Sequence, residues 1–404
     1  MFIAHVVSGM RRFTPALLLF TFPSFAQTWT QLPDFPGIAR DDASAFAIGT
    51  DVFVGTGMDV GFSLTTDWYK YNTTANTWSS IAALPASGRQ YTTSFSINGV
   101  GYLFGGTDGN ALNELWAYDP QQDQWTARAP LPSAGRSGSV AFVQNGKGFV
   151  TTGKKAPDFK PTSELWMYDP VLDHWSQRSD LPGVPRALAS AFTVGDTAYL
   201  FTGLDSLGVS LADGWKYVAA TGTWSFIGPF GGNAMFGADG FGLNVRGVIV
   251  CGAFTSPPYA VSTEVYDPTI AQWTETPVFT GPGRKGGSGA VVGNTIYYGT
   301  GTTGLARLND WYKLEWPVGI EEIAAAEGPR IIGSIVGEEL DLLIPSAWTN
   351  ARAEIIDATG RSERSMQCIT GSHTIGVSGL ATGSYFLRIT SERESRTLPF
   401  TVIH

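Results

Sequence analysis

The chain has 404 residues, a net charge of −9 and only 15% charged residues, against 43% hydrophobic and 13% aromatic ones. That balance excludes a nucleic-acid backbone as partner, since such a partner needs a basic face. Glycine makes up 49 of the 404 residues, which suits a turn-rich β protein.

Residues 1–26 read as a secretory signal. Arg11-Arg12 give a basic start, and Pro15 to Phe25 form an apolar run too short to span a bilayer. Ser24-Phe25-Ala26 is a small-x-small cleavage site, and either Met1 or Met10 can serve as the start. No other stretch approaches 18 apolar residues, so no transmembrane helix is expected. The expected location is secreted or at the outer-membrane surface.

From Trp29 onward three residue series run in fixed phase. Trp29, Trp78, Trp125, Trp175, Trp224 and Trp273 are spaced by 47 to 50 residues, and Tyr71, Tyr118, Tyr168, Tyr217 and Tyr266 each stand seven residues before the next Trp. Gly57, Gly106, Gly153, Gly203, Gly252 and Gly301 form the second series. Arg40, Arg89, Arg136, Arg186 and Arg284 form the third, each 17 residues before its glycine, and Met235 holds the place in the fifth unit. A period near 50 residues marks a propeller or array.

Each unit reads as four short strands. A small-residue strand, for example Ser137 to Val143, is followed by a turn at Asn145-Gly146. An aromatic or β-branched strand then ends at the marker glycine, as in Gly101 to Gly106. A variable loop leads to a third strand such as Glu114 to Tyr118, which Asp-Pro stops because proline cannot donate to a ladder. The Trp opens the fourth strand. One such sheet cannot bury both faces, so neighbours must stack, with Trp and Tyr supplying the buried area. The sixth unit lacks a Trp strand of its own, because Trp316 falls in the phase of the Asp-Pro proline. Trp29-Thr30-Gln31-Leu32 is the free strand that completes it. The expectation is six blades with no long exposed edge.

The pattern Arg-x-Gly, Asn-Gly, an aromatic strand, Gly-Gly, Glu-Leu-Trp-x-Tyr-Asp-Pro and Trp resembles the kelch repeat over residues 29–316. The departures are the double glycine, kept only at Gly105-Gly106, and Met235 in place of Arg. The resemblance implies an all-β fold, a six-bladed kelch β-propeller over 27–316. Residues 317–329 carry no aromatic and read as a linker. Residues 330–404 have strand composition at Glu339–Ile344, Ala353–Asp357, His373–Val377, Tyr385–Thr390 and Thr397–Ile403, as expected of a small C-terminal β-sandwich. Ile355 to Arg361 and Gly379 to Ile389 resemble the C-terminal sorting domain of the type IX secretion system of Bacteroidetes-type bacteria. That resemblance implies contact with secretion machinery and an export or anchoring tail. The usual Asn-Pro near its start is absent. Cys251 and Cys368 fall in different domains, so no disulfide is expected.

The arginines are the sharpest functional lead. The resemblance implies that Arg40, Arg89, Arg136, Arg186 and Arg284 ring one mouth of a channel, where planar guanidiniums suit a carboxylate or phosphate of an anionic carbohydrate. The competing expectation is structural, with each Arg tied to a carbonyl or an acid. The loops after the glycines vary, and Phe62, Phe159, Phe254 and Tyr259 can stack on a sugar or peptide. Only His174 among four histidines falls in the repeat region, beside Trp175 in an expected loop between the third and fourth strands, which argues against copper, zinc or a Ser-His-Asp triad. No metal site or cofactor is implied. Arg40 to Phe46 looks somewhat like the blade openings of periplasmic sialic-acid mutarotases, which makes Asp41, Asp42 and Asp59 candidate acids and bases. The expected function is a non-catalytic binding or adhesion module for a protein or carbohydrate. The alternative is a metal-independent carbohydrate enzyme.

Overall fold

The computed structural model describes residues 28–254, 258–276, 278–316, 329–332, 335–336, 338–344, 348, 350–357, 361–368, 371–391 and 395–402. The expected signal over 1–26 lies outside these residues, as does the expected linker over 317–329 apart from Pro329. Among the described residues every regular element is a strand.

Residues 29–315 form six four-stranded antiparallel sheets. Sheet 2 shows the pattern: Thr93–Ile97, Val100–Phe104, Leu115–Asp119 and Gln124–Arg128 pair in that order. Its first hairpin turns at Asn98-Gly99, both at positive φ (51° and 81°), the geometry that matches strand twist. Sheet 1 begins at Ser44–Ile48, sheet 3 at Val140–Gln144, sheet 4 at Ser190–Val194, sheet 5 at Asp239–Gly242 and sheet 6 at Ser288–Val292. The outer strand of sheet 6 is Trp29–Leu32, antiparallel to Trp311–Glu315, with Gln31 opposite Tyr312. The first strands neighbour one another in sequence order, and Ser288–Val292 lies beside Ser44–Ile48.

The residue series are the contacts between sheets. Each marker glycine donates its amide to the carbonyl of the Arg-phase residue of the next unit: Gly57 to Arg89, Gly106 to Arg136, Gly153 to Arg186, Gly203 to Met235, Gly252 to Arg284 and Gly301 to Arg40, at 2.8–3.0 Å. These glycines have φ from 88° to 113°, where a side chain is strained. The Trp indoles reach back to the preceding unit: Trp78 donates to Pro33 O, Trp125 to Ala82 O, Trp175 to Ala129 O and Trp224 to Ser179 O, at 2.8–3.0 Å. Each Tyr–Trp pair packs with centroids 4.9–5.1 Å apart and planes inclined 45–51°. Such pairs add about 0.5–1.5 kcal/mol beyond the area they bury.

Two strand expectations change. Ser137 to Val143 is not one strand: Arg136–Ser137 pairs with Lys154–Lys155, and the sheet begins only at Val140. Gly138, at φ 64°, turns the chain between them. His174 opens the strand His174–Arg178, opposite Asp169, rather than lying in a loop.

The C-terminal residues form a three-stranded and a five-stranded sheet. They share one core that includes Leu340, Leu342, Ala353, Ile355, Ile375, Leu387, Ile389 and Phe400. Gly383–Thr390 alternates buried and exposed, as a strand with one face on a core must. Ser362–Cys368 is a strand that composition did not signal. It is an edge strand, pairing with Ala351–Asp357, and is mostly exposed, so polar residues suffice. Cys251 and Cys368 are buried free thiols.

Candidate functional site

The Arg-phase residues and the loops after the glycines share one face, since Arg40–Asp41 pairs with Met58–Asp59 and Arg136–Ser137 with Lys154–Lys155. Two residues after each Arg-phase position stands a residue at positive φ: Asp42, Tyr91, Gly138, Leu188, Gly237 and Gly286, at 54°, 54°, 64°, 55°, 61° and 57°. These six form a cycle of backbone hydrogen bonds. Tyr91 N donates to Asp42 O, Gly138 to Tyr91, Leu188 to Gly138, Gly237 to Leu188, Gly286 to Gly237 and Asp42 to Gly286, at 2.8–3.2 Å. The cycle rims the space between the first strands. A cavity of about 190 Å³ touching all six sheets lies there, walled by small side chains such as Ser44, Thr93, Ser139, Ser190 and Ser288, and by Asp239.

The expectation of guanidiniums facing a ligand meets a different geometry. Arg40, Arg89, Arg136, Arg186 and Arg284 are all 0–1% exposed. Each pairs with an acid at the start of the third strand of its own unit or just before it: Asp67 (2.6 Å), Glu114 (2.9 Å), Glu164 (2.7 Å), Asp213 (2.6 Å) and Asp310 (2.6 Å). Arg40, Arg186 and Arg284 are bidentate to their acids, and their Nη1 also reaches Thr56 O, Thr202 O and Thr300 O. These three guanidiniums thus satisfy carbonyls where the second strand turns into the loop, and their forks are occupied, whereas Arg136 Nε and Nη1 have no hydrogen-bond partner among the described residues. The acids recur 26–28 residues after Arg40, Arg136, Arg186 and Arg284, a periodic signal readable in the sequence that the Arg series overshadowed. Burial pushes the Glu164 carboxyl up, but hydrogen bonds from Lys155, Trp166 and Arg136 outweigh it and hold it at about 2.

Among the three candidate acids, Asp59 accepts the amides of Gly61 and Ser63 and so shapes its own loop. Asp41 is buried and accepts Arg307 Nε at 2.5 Å, while the Arg307 guanidinium lies 4.6 Å from the Phe62 ring centroid. Asp42 is the unusual one. Burial raises its carboxyl to about 7, with Asp41 adding to the rise and Lys285, Tyr91 and Arg307 opposing it. Its Oδ2 has no hydrogen-bond partner among the described residues, which suits a carboxyl that holds a proton. The Asp42 charge, with burial, pushes the Tyr91 hydroxyl well above its ordinary value. Asp239, on the cavity wall, is raised to about 8 by burial, with Asp42 adding to the rise and Tyr298 and Arg284 opposing it. Tyr91, Lys285, Arg307 and Asp239 carried no repeat signal, because each occurs in one unit only.

Tyr91, Lys154, Phe159 and Leu188 line a further cavity of about 190 Å³ at the rim. Phe62 is exposed beside Arg307, whereas Phe254 and Tyr259 line a separate cavity at sheet 5. Among the described residues no group of three or more His, Cys, Asp or Glu is placed to hold a metal ion. No helix among them is long and apolar enough to cross a membrane.

The KLHDC2/KLHL20/DRC7 Kelch-repeats domain matches residues 12–203. Among 539 matching chains of solved structures, one described as the structure of YjhT superposes with a TM-score of 0.61 at 22% identity, over 69% of this chain and 95% of that chain. No curated protein matches the chain. Residues 12–203 are thus similar to a Kelch-repeats domain, and the chain has an all-β fold like that of a kelch-type propeller.

Proposed function

We propose that residues 27–316 are a six-bladed kelch propeller, closed by Trp29–Leu32, that works as a non-catalytic binding module for a protein partner. The closure is supported by the pairing of Gln31 with Tyr312 and by the cycle of six backbone hydrogen bonds at the rim. The observation that carries the binding role is the loop face. Val60, Phe62, Phe159, Leu207, Val209, Val261 and Leu305 are exposed apolar side chains, all on loops after the marker glycines. Phe62, Leu207 and Leu305 are 74%, 85% and 93% exposed, while the arginines of the same face are buried. Apolar groups on variable loops over a rigid frame suit protein recognition. The test compares proteins captured from the native host by the wild type and by a Phe62→Ser/Leu207→Ser/Leu305→Ser variant of equal melting temperature. Loss of a captured protein in the variant supports the role; identical capture, or glycan-array binding that the variant retains, refutes it.

Asp42 favours a second reading, a metal-independent enzyme acting on an anionic sugar. A carboxyl near 7 beside a tyrosine hydroxyl is poised to exchange a proton at neutral pH. Anomer exchange of N-acetylneuraminate, followed by NMR, decides it: acceleration by wild type and none by Asp42→Asn supports this reading, and no acceleration removes it.

The export role rests on the two ends of the chain. The separate apolar core of the C-terminal region supports a domain of its own over 330–404. Deleting that domain and assaying the medium and cell surface of a type IX-competent host tests it. Unchanged export would refute a sorting role.

A further inference from the structure

Gly138 stands between Tyr91 and Leu188 in the cycle of backbone hydrogen bonds, donating to Tyr91 O and accepting from Leu188 N, both at 2.8 Å. It has no side chain to fill the space between its two neighbours. The rim cavity of about 190 Å³ opens there, with Tyr91, Gly138 and Leu188 in its wall.

Two polar groups on that wall are unused. Arg136–Ser137 pairs antiparallel with Lys154–Lys155, which places Ser137 directly opposite Lys154. Directly opposed residues point to the same side of a ladder, with Cβ atoms about 4.5–5.5 Å apart. Both residues line the cavity. Ser137 is only 6% exposed, and its hydroxyl has no hydrogen-bond partner among the described residues. The Lys154 ammonium has no acid or hydrogen-bond partner among them either, whereas Lys155 pairs with Glu164 and Lys160 with Asp158. Lys154 is the one charged residue in the wall, so no carboxylate there competes for it. Three of the eight lysines of this acidic chain fall within residues 154–160, which makes the local charge run against the overall one.

Phe159 lines the same cavity from the loop after Gly153. That loop is held by its own backbone, since Thr162 N donates to Gly153 O at 3.0 Å and Ala156 N to Gly135 O at 2.9 Å. The Tyr91 and Phe159 rings do not stack on each other. Two adjacent donors call for an acceptor pair, and the aromatic and aliphatic wall calls for an apolar body behind it. A volume of about 190 Å³ is below the roughly 300–1,000 Å³ of sites for drug-sized ligands, so the occupant is small.

We infer that this cavity binds a small aromatic carboxylate. The carboxylate accepts from the Lys154 ammonium and the Ser137 hydroxyl, and the ring packs against Tyr91, Phe159 and Leu188. The site does not rest on the partner proposed for the loop face, because Phe62, Leu207 and Leu305 lie outside its wall.

The probe is phenylacetate, titrated into the full-length protein and followed by ligand NMR. Phenylacetamide is the neutral analogue, and acetate is the anion without a ring. Phenylacetate is expected to saturate the protein and to bind roughly tenfold more tightly than either, with affinity falling as salt rises. Lys154→Met keeps the stem and removes the cation, and should cost about tenfold in affinity at unchanged melting temperature, since the ammonium ties nothing else. Ser137→Ala and Phe159→Ala should each cost about threefold or more. No saturable binding of phenylacetate to the wild type, affinity no better than that of phenylacetamide or acetate, or unchanged affinity in any folded variant would overturn the site. Should the variants not fold, the three ligands compared on the wild type decide alone.

Discussion

The amide of Gly301 donates to the carbonyl of Arg40 at 2.8 Å, so the last repeat is joined to the first by the same bond that joins each repeat to the next. This contact belongs to a set in which glycine and Arg-phase carbonyl alternate around the molecule. Its residues are therefore constrained by the neighbouring unit as much as by their own.

Gly57 shows what that constraint costs. At φ 98°, a Cβ there would meet Asp41 O at 2.7 Å, whereas at Gly99, φ 81°, nothing lies within 4 Å. Gly99→Ala should cost about 1 kcal/mol, the backbone strain alone. Gly57→Ala should cost about 2–4 kcal/mol, since strain and overpacking add. Denaturant unfolding of the two variants measures the difference; equal costs would contradict the close approach.

The buried arginines should act on stability. Arg186→Ala leaves Asp213 without its bidentate partner and Thr202 O without its donor, and should cost about 3–5 kcal/mol. Replacing Arg186 and Asp213 together by leucine and alanine should cost less than Arg186→Ala alone. Sheet 5 already does without the pair, through Met235 and Ser262. Chemical denaturation of both variants checks this. A double variant no better than the single one would show that the guanidinium matters mainly for the carbonyl.

Stability should fall as pH rises from acid to slightly alkaline. The Asp42 carboxyl goes from 3.8 to about 7 on folding, and that of Asp239 from 3.8 to about 8. A raised carboxyl means that the folded chain holds protons the unfolded chain releases. Their favourable contribution is complete below 3.8 and is lost as pH climbs to about 7 and about 8. Asp42→Asn should therefore stabilise the protein by about 1–2 kcal/mol at pH 8 and flatten the profile, a gain held below the full shift by Lys285 and Arg307. Glu164 works the other way: held at about 2 against an ordinary 4.5, it contributes above 4.5 and loses that contribution as pH falls toward 2. Melting temperatures from pH 3 to 9 for wild type, Asp42→Asn and Glu164→Gln separate the two slopes.

The indole bonds between sheets can be separated from the packing. Trp125→Phe removes the bond to Ala82 O and should cost about 1 kcal/mol plus the lost ring area. Trp125→Ala, which empties a site against Phe46, Trp68 and Tyr118, should cost about 3–5 kcal/mol. Unfolding in guanidinium distinguishes the two. A Phe variant as damaged as the Ala variant would mean that the hydrogen bond dominates.

The sequence by itself determined the repeat. Trp, Tyr and Gly recur because most of them make the same kind of contact with a like neighbour, so periodicity alone exposed the four-strand unit and assigned Trp29–Leu32 to the sheet that holds Tyr312. It also marked Met235 as the departure, without saying what followed from it. Only the tertiary structure decided which way the charges point. Whether Arg40 faces a ligand or Asp67 depends on a loop that folds the acid back from 27 residues away. Asp42, Tyr91 and Arg307 gather from separate units, and their chemistry comes from burial and nearby charge. A linear spacing carries neither of those quantities, because both are set by what the other sheets bring into contact.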